Sequence, residues 1–281
     1  MGMTVNTNVA AINAYQNLEA NQMAESTSLE QLSSGIRINN ASDDAAGYVI
    51  SQDLASQVSG YQQATANAQD AISLVQTAEG ALNETTAILQ RIRTLSVEAA
   101  NATTDSTGLA AIKQEVDQSI QELDNIASST KYGTLSLFGT GSSQAMFTFQ
   151  VGAQPGQIIA VQVSGANSAA LGVSTLDSFF SIVSSTNFSF SSAMISTIDA
   201  AINTVSSLEG SLGAYQNELQ HAINNLNVGT QNLSAAESTI RDTDMAQTYS
   251  SFTKEQILVQ TSTSMLAQAN NLPAAVLKLI Q

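Results

Sequence analysis

The chain has no cysteine, no tryptophan, one histidine, two prolines and only eight Lys and Arg side chains among 281 residues. Each scarcity removes a class of function. Without Cys there is no disulfide framework and no thiolate metal site. A single histidine, His221, cannot build the paired-histidine zinc motif of a metalloprotease. A formal net charge of −15 opposes nucleic-acid binding, which needs Lys and Arg against phosphates. No run of about 18 apolar residues occurs, so no membrane insertion is expected. Residues 1–8 lack the basic region and apolar stretch of a secretory signal, which predicts a cytoplasmic protein or export without a cleaved signal.

What remains is rich in Ala, Ser, Thr, Asn and Gln, with 11% charged and 5% aromatic residues. Small side chains and few helix breakers suit long, closely packed helices. Periodicity agrees. Val5, Val9, Ile12, Tyr15, Leu29, Leu32 and Ile36 recur at helical spacing, with a weak middle, and predict an amphipathic helix over 4–35. Gly35 is a natural helix stop. Asn39, Asn40 and Ser42 supply turn chemistry and an expected N-cap, and Asp43 and Asp44 suit the first turn of the next helix. A second helix is predicted from about Ala45 to Ala102, and a third through Ile112, Val116, Ile120, Leu123 and Ile126, closed by residues 131–134. Residues 146–151 and 158–163 read as strands of a hairpin, with Pro155-Gly156 fitting a type II turn. Residues 164–192 are Ser-rich and irregular, anchored by Phe179, Phe180, Phe188 and Phe190. Helical period returns from about Ala193 to Ile240 and continues to the C-terminus, where Pro273 should kink or restart the helix.

Sites for small-molecule chemistry are not evident. Asp43 and Asp44 are adjacent, so they do not share a helix face, and a helix start explains them. Asp242 and Asp244 lack a glycine-containing calcium loop. His221 has no nucleophile near it in sequence. No catalytic residue, metal or cofactor is expected.

Several blocks occur together in one order: Val5-Asn-Thr-Asn8, residues 32–39 (LSSGIRIN), residues 41–47 (ASDDAAG), residues 76–82 (QTAEGAL), residues 89–93 (LQRIR), Gln150-Val-Gly152, residues 237–246 (ESTIRDTDMA), residues 256–258 (QIL), residues 266–270 (LAQAN) and Val276-Leu277. In these the chain resembles bacterial flagellin, in a short form without large variable outer domains. Tyr48-Val49 and Tyr132-Gly-Thr134 depart from the family pattern.

The resemblance implies a mainly α fold: long helices forming a terminal coiled coil, plus an α-helical rod with a small β-hairpin. It places an inner coiled-coil domain in 1–44 plus 238–281. The rod is 45–237, with the hairpin at about 146–163 and the short irregular segment 164–192. It implies a non-enzymatic, self-assembling filament subunit, exported to the bacterial surface through the flagellar type III apparatus. Expected partners are further copies of the chain, an export chaperone, and cap and junction proteins. Polymerisation is expected to use Val5, Val9, Ile12, Leu29, Leu32, Val259, Leu266, Val276, Leu277 and Ile280, with a hinge at Gly35, Asn39 and Asn40. Arg91, Leu95 and Glu115 match family positions contacted by the vertebrate Toll-like receptor that senses flagellin. The competing readings are a hook–filament junction protein, a filament-borne adhesin and a flagellin with an enzymatic insert. A central insert of only about thirty residues is shorter than a typical domain and argues against the last.

Overall fold

The computed structural model describes residues 7–101, 104–139, 144–176 and 188–280, without the side chains of 188–192 and 272–280. Val5, Phe179 and Phe180 lie outside the described residues, as do the side chains of Phe188, Phe190, Val276, Leu277 and Ile280. The order is α1 (Val9–Ser34), α2 (Ala45–Ala99), α3 (Ser106–Ser129), β1 (Lys131–Tyr132), β2 (Leu135–Ser136), β3 (Ala145–Gln150), β4 (Ile158–Val163), a 3-10 turn (Val173–Thr175), α4 (Phe188–Arg241) and α5 (Met245–Ile280). The fold is mainly α, as expected, with five long helices among the described residues. The contacts divide the chain into two compact units, residues 1–58 with 231–281 and residues 59–230.

In the 59–230 unit the buried positions of α2 follow a strict rhythm of four and three: Ala64, Ala68, Ala71, Val75, Ala78, Leu82, Thr85, Leu89, Ile92 and Ser96. In α4 the same rhythm runs through Met194, Ile198, Ala201, Val205, Leu208, Leu212, Tyr215 and Leu219. This 3.5-residue repeat keeps one narrow seam facing a partner helix. The two helices lie antiparallel, since Arg93 meets Asp199, Thr86 meets Glu209 and Glu79 meets Gln216. Alanines let the backbones approach closely, and glycine is needed where they touch most tightly. A Cβ on Gly229 would stand 2.7 Å from the Tyr61 ring. Helix α3 adds Ile112, Val116 and Leu123 to the same core, and also buries Ala127. Its N-cap Asp105 accepts from the Gly108 N–H, and the Thr107 hydroxyl followed by that N–H lowers its carboxyl pKa.

Strands β3 and β4 pair antiparallel, with Phe147 opposite Val161 and Phe149 opposite Ile159 on the core side. The turn expected at Pro155-Gly156 is present: Gly156 has φ +87°, and the Gln157 N–H reaches the Gln154 carbonyl.

Three local expectations are corrected. Residues 131–134 do not merely end α3. They begin a two-residue hairpin, β1–β2, turned by Gly133 at φ +63°. The cap of α2 is Asp44 rather than Ser42: its Oδ1 accepts the N–H groups of Ala46 and Gly47. Asp43 sits before the helix and accepts from the Asn39 and Asn40 N–H groups. Of the kink or restart expected at Pro273, the restart does not occur: helix α5 continues to Ile280. Proline removes one ladder bond, so a chain with other contacts can remain helical across it.

Candidate assembly surface

The unit formed by the two chain ends is built on the pairing of α1 with α5. Periodicity alone made both helices amphipathic but left their partner open. The cross-contacts set it. Asn8 Nδ2 donates to the Ala269 carbonyl at 2.8 Å, Asn21 Nδ2 to Ser262 Oγ at 3.0 Å, and Ser28 Oγ to Glu255 Oε2 at 2.6 Å. Rising numbers on one helix meet falling numbers on the other, so the pair is antiparallel.

The seam is not where the large apolar residues are. On α1 the less exposed positions run Ala11, Ala14, Leu18, Asn21, Glu25, Ser28 and Leu32. On α5 they run Thr248, Phe252, Glu255, Val259, Ser262, Leu266 and Ala269. Both keep the heptad rhythm, but small and polar side chains fill nine of these fourteen places. Such a seam holds register through hydrogen bonds and buries little apolar area, and burial is what stabilises a helix pair. Val9, Ile12, Tyr15, Met23 and Leu29 of α1 stand outside it, as do Tyr249, Ile257, Leu258 and Met265 of α5.

Of the residues expected to drive polymerisation, the six with described side chains separate into two groups. Leu32, Val259 and Leu266 are half-buried in the subunit's own seam. Val9, Ile12 and Leu29 are exposed. Tyr249, Ile257, Leu258 and Met265 are exposed as well, and their hydrophobicity is visible in the sequence. Which face the partner helix covers is not.

The far end of the pair is closed by backbone. Gly35 adopts φ +73° and ends α1, its N–H reaching the Gln31 carbonyl. The chain then runs antiparallel to the α4–α5 link: the Arg37 N–H donates to the Arg241 carbonyl and the Thr243 N–H to the Gly35 carbonyl. Arg37 Nη2 also donates to the Ile240 carbonyl at 2.5 Å. Asn39 and Asn40 lie in the same connection, their side chains donating to Ser34 Oγ and Glu30 Oε1. Asp244 caps α5 as Asp44 caps α2, through the N–H groups two and three residues on. Of the acidic pairs singled out in the sequence, Asp43, Asp44 and Asp244 are thus caps and turn acceptors, and Asp242 joins the connection through its backbone. Among the described residues no cluster of three or more His, Asp or Glu could hold a metal, and no helix is long and apolar enough to cross a membrane.

In the 59–230 unit, Arg91 of α2 bonds Glu115 of α3, with Nη2 at 2.6 Å, and both side chains are about half exposed. Arg93 holds Asp199 at 2.6 Å, and that hydrogen bond raises the guanidinium pKa further. Leu95 does not join Arg91 and Glu115 at the surface: it is 2% exposed and belongs to the core. Its spacing of three from Ile92 sets it beside the α2 seam and turns it inward. His221 is exposed on α4, away from any cluster of nucleophiles in sequence.

Residues 5–142 match the bacterial flagellin N-terminal helical region, and residues 195–280 match the bacterial flagellin C-terminal helical region. The chain is similar to the flagellin of Bacillus subtilis, at 42% identity over 99% of this chain and 100% of that one. It is also similar to the flagellar filament 33 kDa core protein of Treponema phagedenis, at 39% identity over 99% and 100%. A solved Vibrio parahaemolyticus structure, assigned as a flagellar hook-associated protein, shares the fold at 14% identity, with TM-score 0.61 over 71% of this chain and 100% of that one. Two terminal helical regions, matched in order, and relatives aligned from end to end leave one conclusion: the chain belongs to the bacterial flagellin family.

Proposed function

We propose that this chain is a structural subunit of the bacterial flagellar filament, polymerising with copies of itself outside the cell to serve motility. One observation carries the reading. The terminal helices pair through a seam poor in apolar area and leave Val9, Ile12, Tyr15, Ile257 and Met265 in water. Burying one such side chain is worth about 1.5–3 kcal/mol, so neighbouring subunits that cover them gain what the lone pair lacks. Contacts of this kind that repeat head to tail without closing give an open helical polymer. The role involves no turnover. In this reading residues 1–44 and 238–281 form the inner part of the filament and residues 45–237 its outer part. An export chaperone and cap and junction proteins complete the set of partners.

The test places a charge on the uncovered face. Ile12→Asp and Ile257→Asp, in the full-length chain, should each raise the concentration needed to sediment filaments at least about tenfold. Helical content should not change, because neither side chain is in the subunit's seam. Filaments at the wild-type concentration from both variants would reject the reading.

Exposure of the Arg91–Glu115 pair favours a second role, recognition by the vertebrate flagellin-sensing receptor. Arg91→Ala is expected to lower potency in a receptor reporter assay by about tenfold, as loss of an exposed arginine anchor does. Leu95→Ala should act through folding instead. Equal potency of Arg91→Ala and wild type would reject a dominant role for Arg91.

A further inference from the structure

We propose that Asn8 is a two-ended clamp between the first and last helices, and that its second end exists because residue 273 is proline. The first end is the N-cap of α1. Asn8 Oδ1 accepts the Ala11 N–H at 3.1 Å, satisfying one of the donors that every helix start leaves open. The second end is the bond from Asn8 Nδ2 to the Ala269 carbonyl at 2.8 Å. In an unbroken α-ladder that carbonyl would accept the N–H of the residue four places on. That residue is Pro273, which stands inside α5 and has no N–H to give. Ala269 is buried, so its carbonyl has little water to turn to.

The chemistry is specific to asparagine. Ser and Asp cap helices about as well as Asn, but an ionised Asp has no donor and Ser is shorter by one atom. Only the carboxamide presents an acceptor to its own helix and a donor to the opposite one. The clamp adds a third cross-helix bond, at the ends of the pair, to the two that Asn21 and Ser28 make along a seam that buries little apolar area. It also explains how α5 carries a proline without a break: the carbonyl that proline releases is taken up by the other chain end. The clamp rests on the geometry of the subunit and not on the filament reading; polymerisation only provides a sensitive readout.

The experiment is a double-mutant cycle in the full-length chain: wild type, Asn8→Asp, Pro273→Ala and the double variant, with Asn8→Ser as a second cap-preserving substitution in both backgrounds. The concentration required for polymerisation is measured by sedimentation. With Pro273 present, Asn8→Asp and Asn8→Ser should raise it about three- to tenfold, the worth of one hydrogen bond. In the Pro273→Ala background, where the new residue supplies the missing N–H, the same substitutions should change it less than about twofold. Equal losses in both backgrounds would reduce Asn8 to a helix cap and overturn the clamp, as would no loss with Pro273 in place. Should wild type itself form no filaments, the filament reading fails. The same four variants are then compared by thermal unfolding, where coupling between the two sites sustains the clamp and additivity overturns it.

Discussion

Removing residues 247–281 should abolish polymerisation at every concentration at which the full-length chain forms filaments. The deletion takes away almost all of α5 and with it the partner of α1. Helix α1 then loses the three hydrogen bonds from Asn8, Asn21 and Ser28 and has nothing to cover Leu18. Its 26 residues contain Asn, Ser and Thr and show little one-sided hydrophobicity. An isolated helix of that kind is marginal in water. Residues 59–230 have their own buried core, from Ala68 to Ile223, and should melt as they do in the intact chain. Removing residues 1–35 should give the same result from the other side. Sedimentation and electron microscopy read the loss, and filaments from either truncation would refute the claim that both ends are required.

The second large effect lies in the 59–230 unit. Leu89→Ala should destabilise the chain by about 2–5 kcal/mol. Leu89 is fully buried on the heptad seam of α2, where Arg93 and Thr86 mark the crossing side chains of α4. Leu89 lies between Thr85 and Ile92 on a close-packed seam, and such a site collapses only in part around a void, so the upper part of that range is expected. Thermal unfolding should move down by about 5–15 °C. Leu29→Ala, on the exposed side of α1, should stay within about 0.5 kcal/mol and serves as the comparison. A Leu89→Ala midpoint within about 2 °C of wild type would contradict the seam assigned to α2.

These two results bear on different parts of the sequence signal. The α2 and α4 repeats are legible in part. Alanines, Thr85 and Ser96 fill some α2 seam positions, but Val75, Leu82, Leu89 and Ile92 of α2 and Ile198, Val205, Leu212 and Leu219 of α4 are large, apolar and buried, so there pattern and burial coincide. In α1 and α5 they do not. The strongest pattern, Val9, Ile12 and Leu29, marks the face left uncovered, while Ala14, Asn21 and Ser28 hold the pair. A periodic reading finds where a helix is apolar, and it has no means of telling an intramolecular seam from a face awaiting a neighbour.

Leu95 shows the reverse case. Its match to a family position put it beside Arg91 and Glu115, and nothing in a linear motif says which of these side chains turns inward. Burial settles it: Leu95 lies three residues beyond Ile92, a spacing that sets it beside the α2 seam on the core side.

The sequence by itself determined that this protein is built from long helices, where they break, where the hairpin turns and to which family it belongs. All of these depend on local causes: small side chains, capping oxygens, glycine at positive φ, and motifs in a fixed order. Only the tertiary structure decided which faces of the two end helices meet, that they run antiparallel, that small and polar side chains fill most of their seam, and that α5 runs through Pro273. Those depend on groups 227 to 261 residues apart meeting in space. The carbonyl that proline leaves free is a local fact, but its partner is at the other end of the chain.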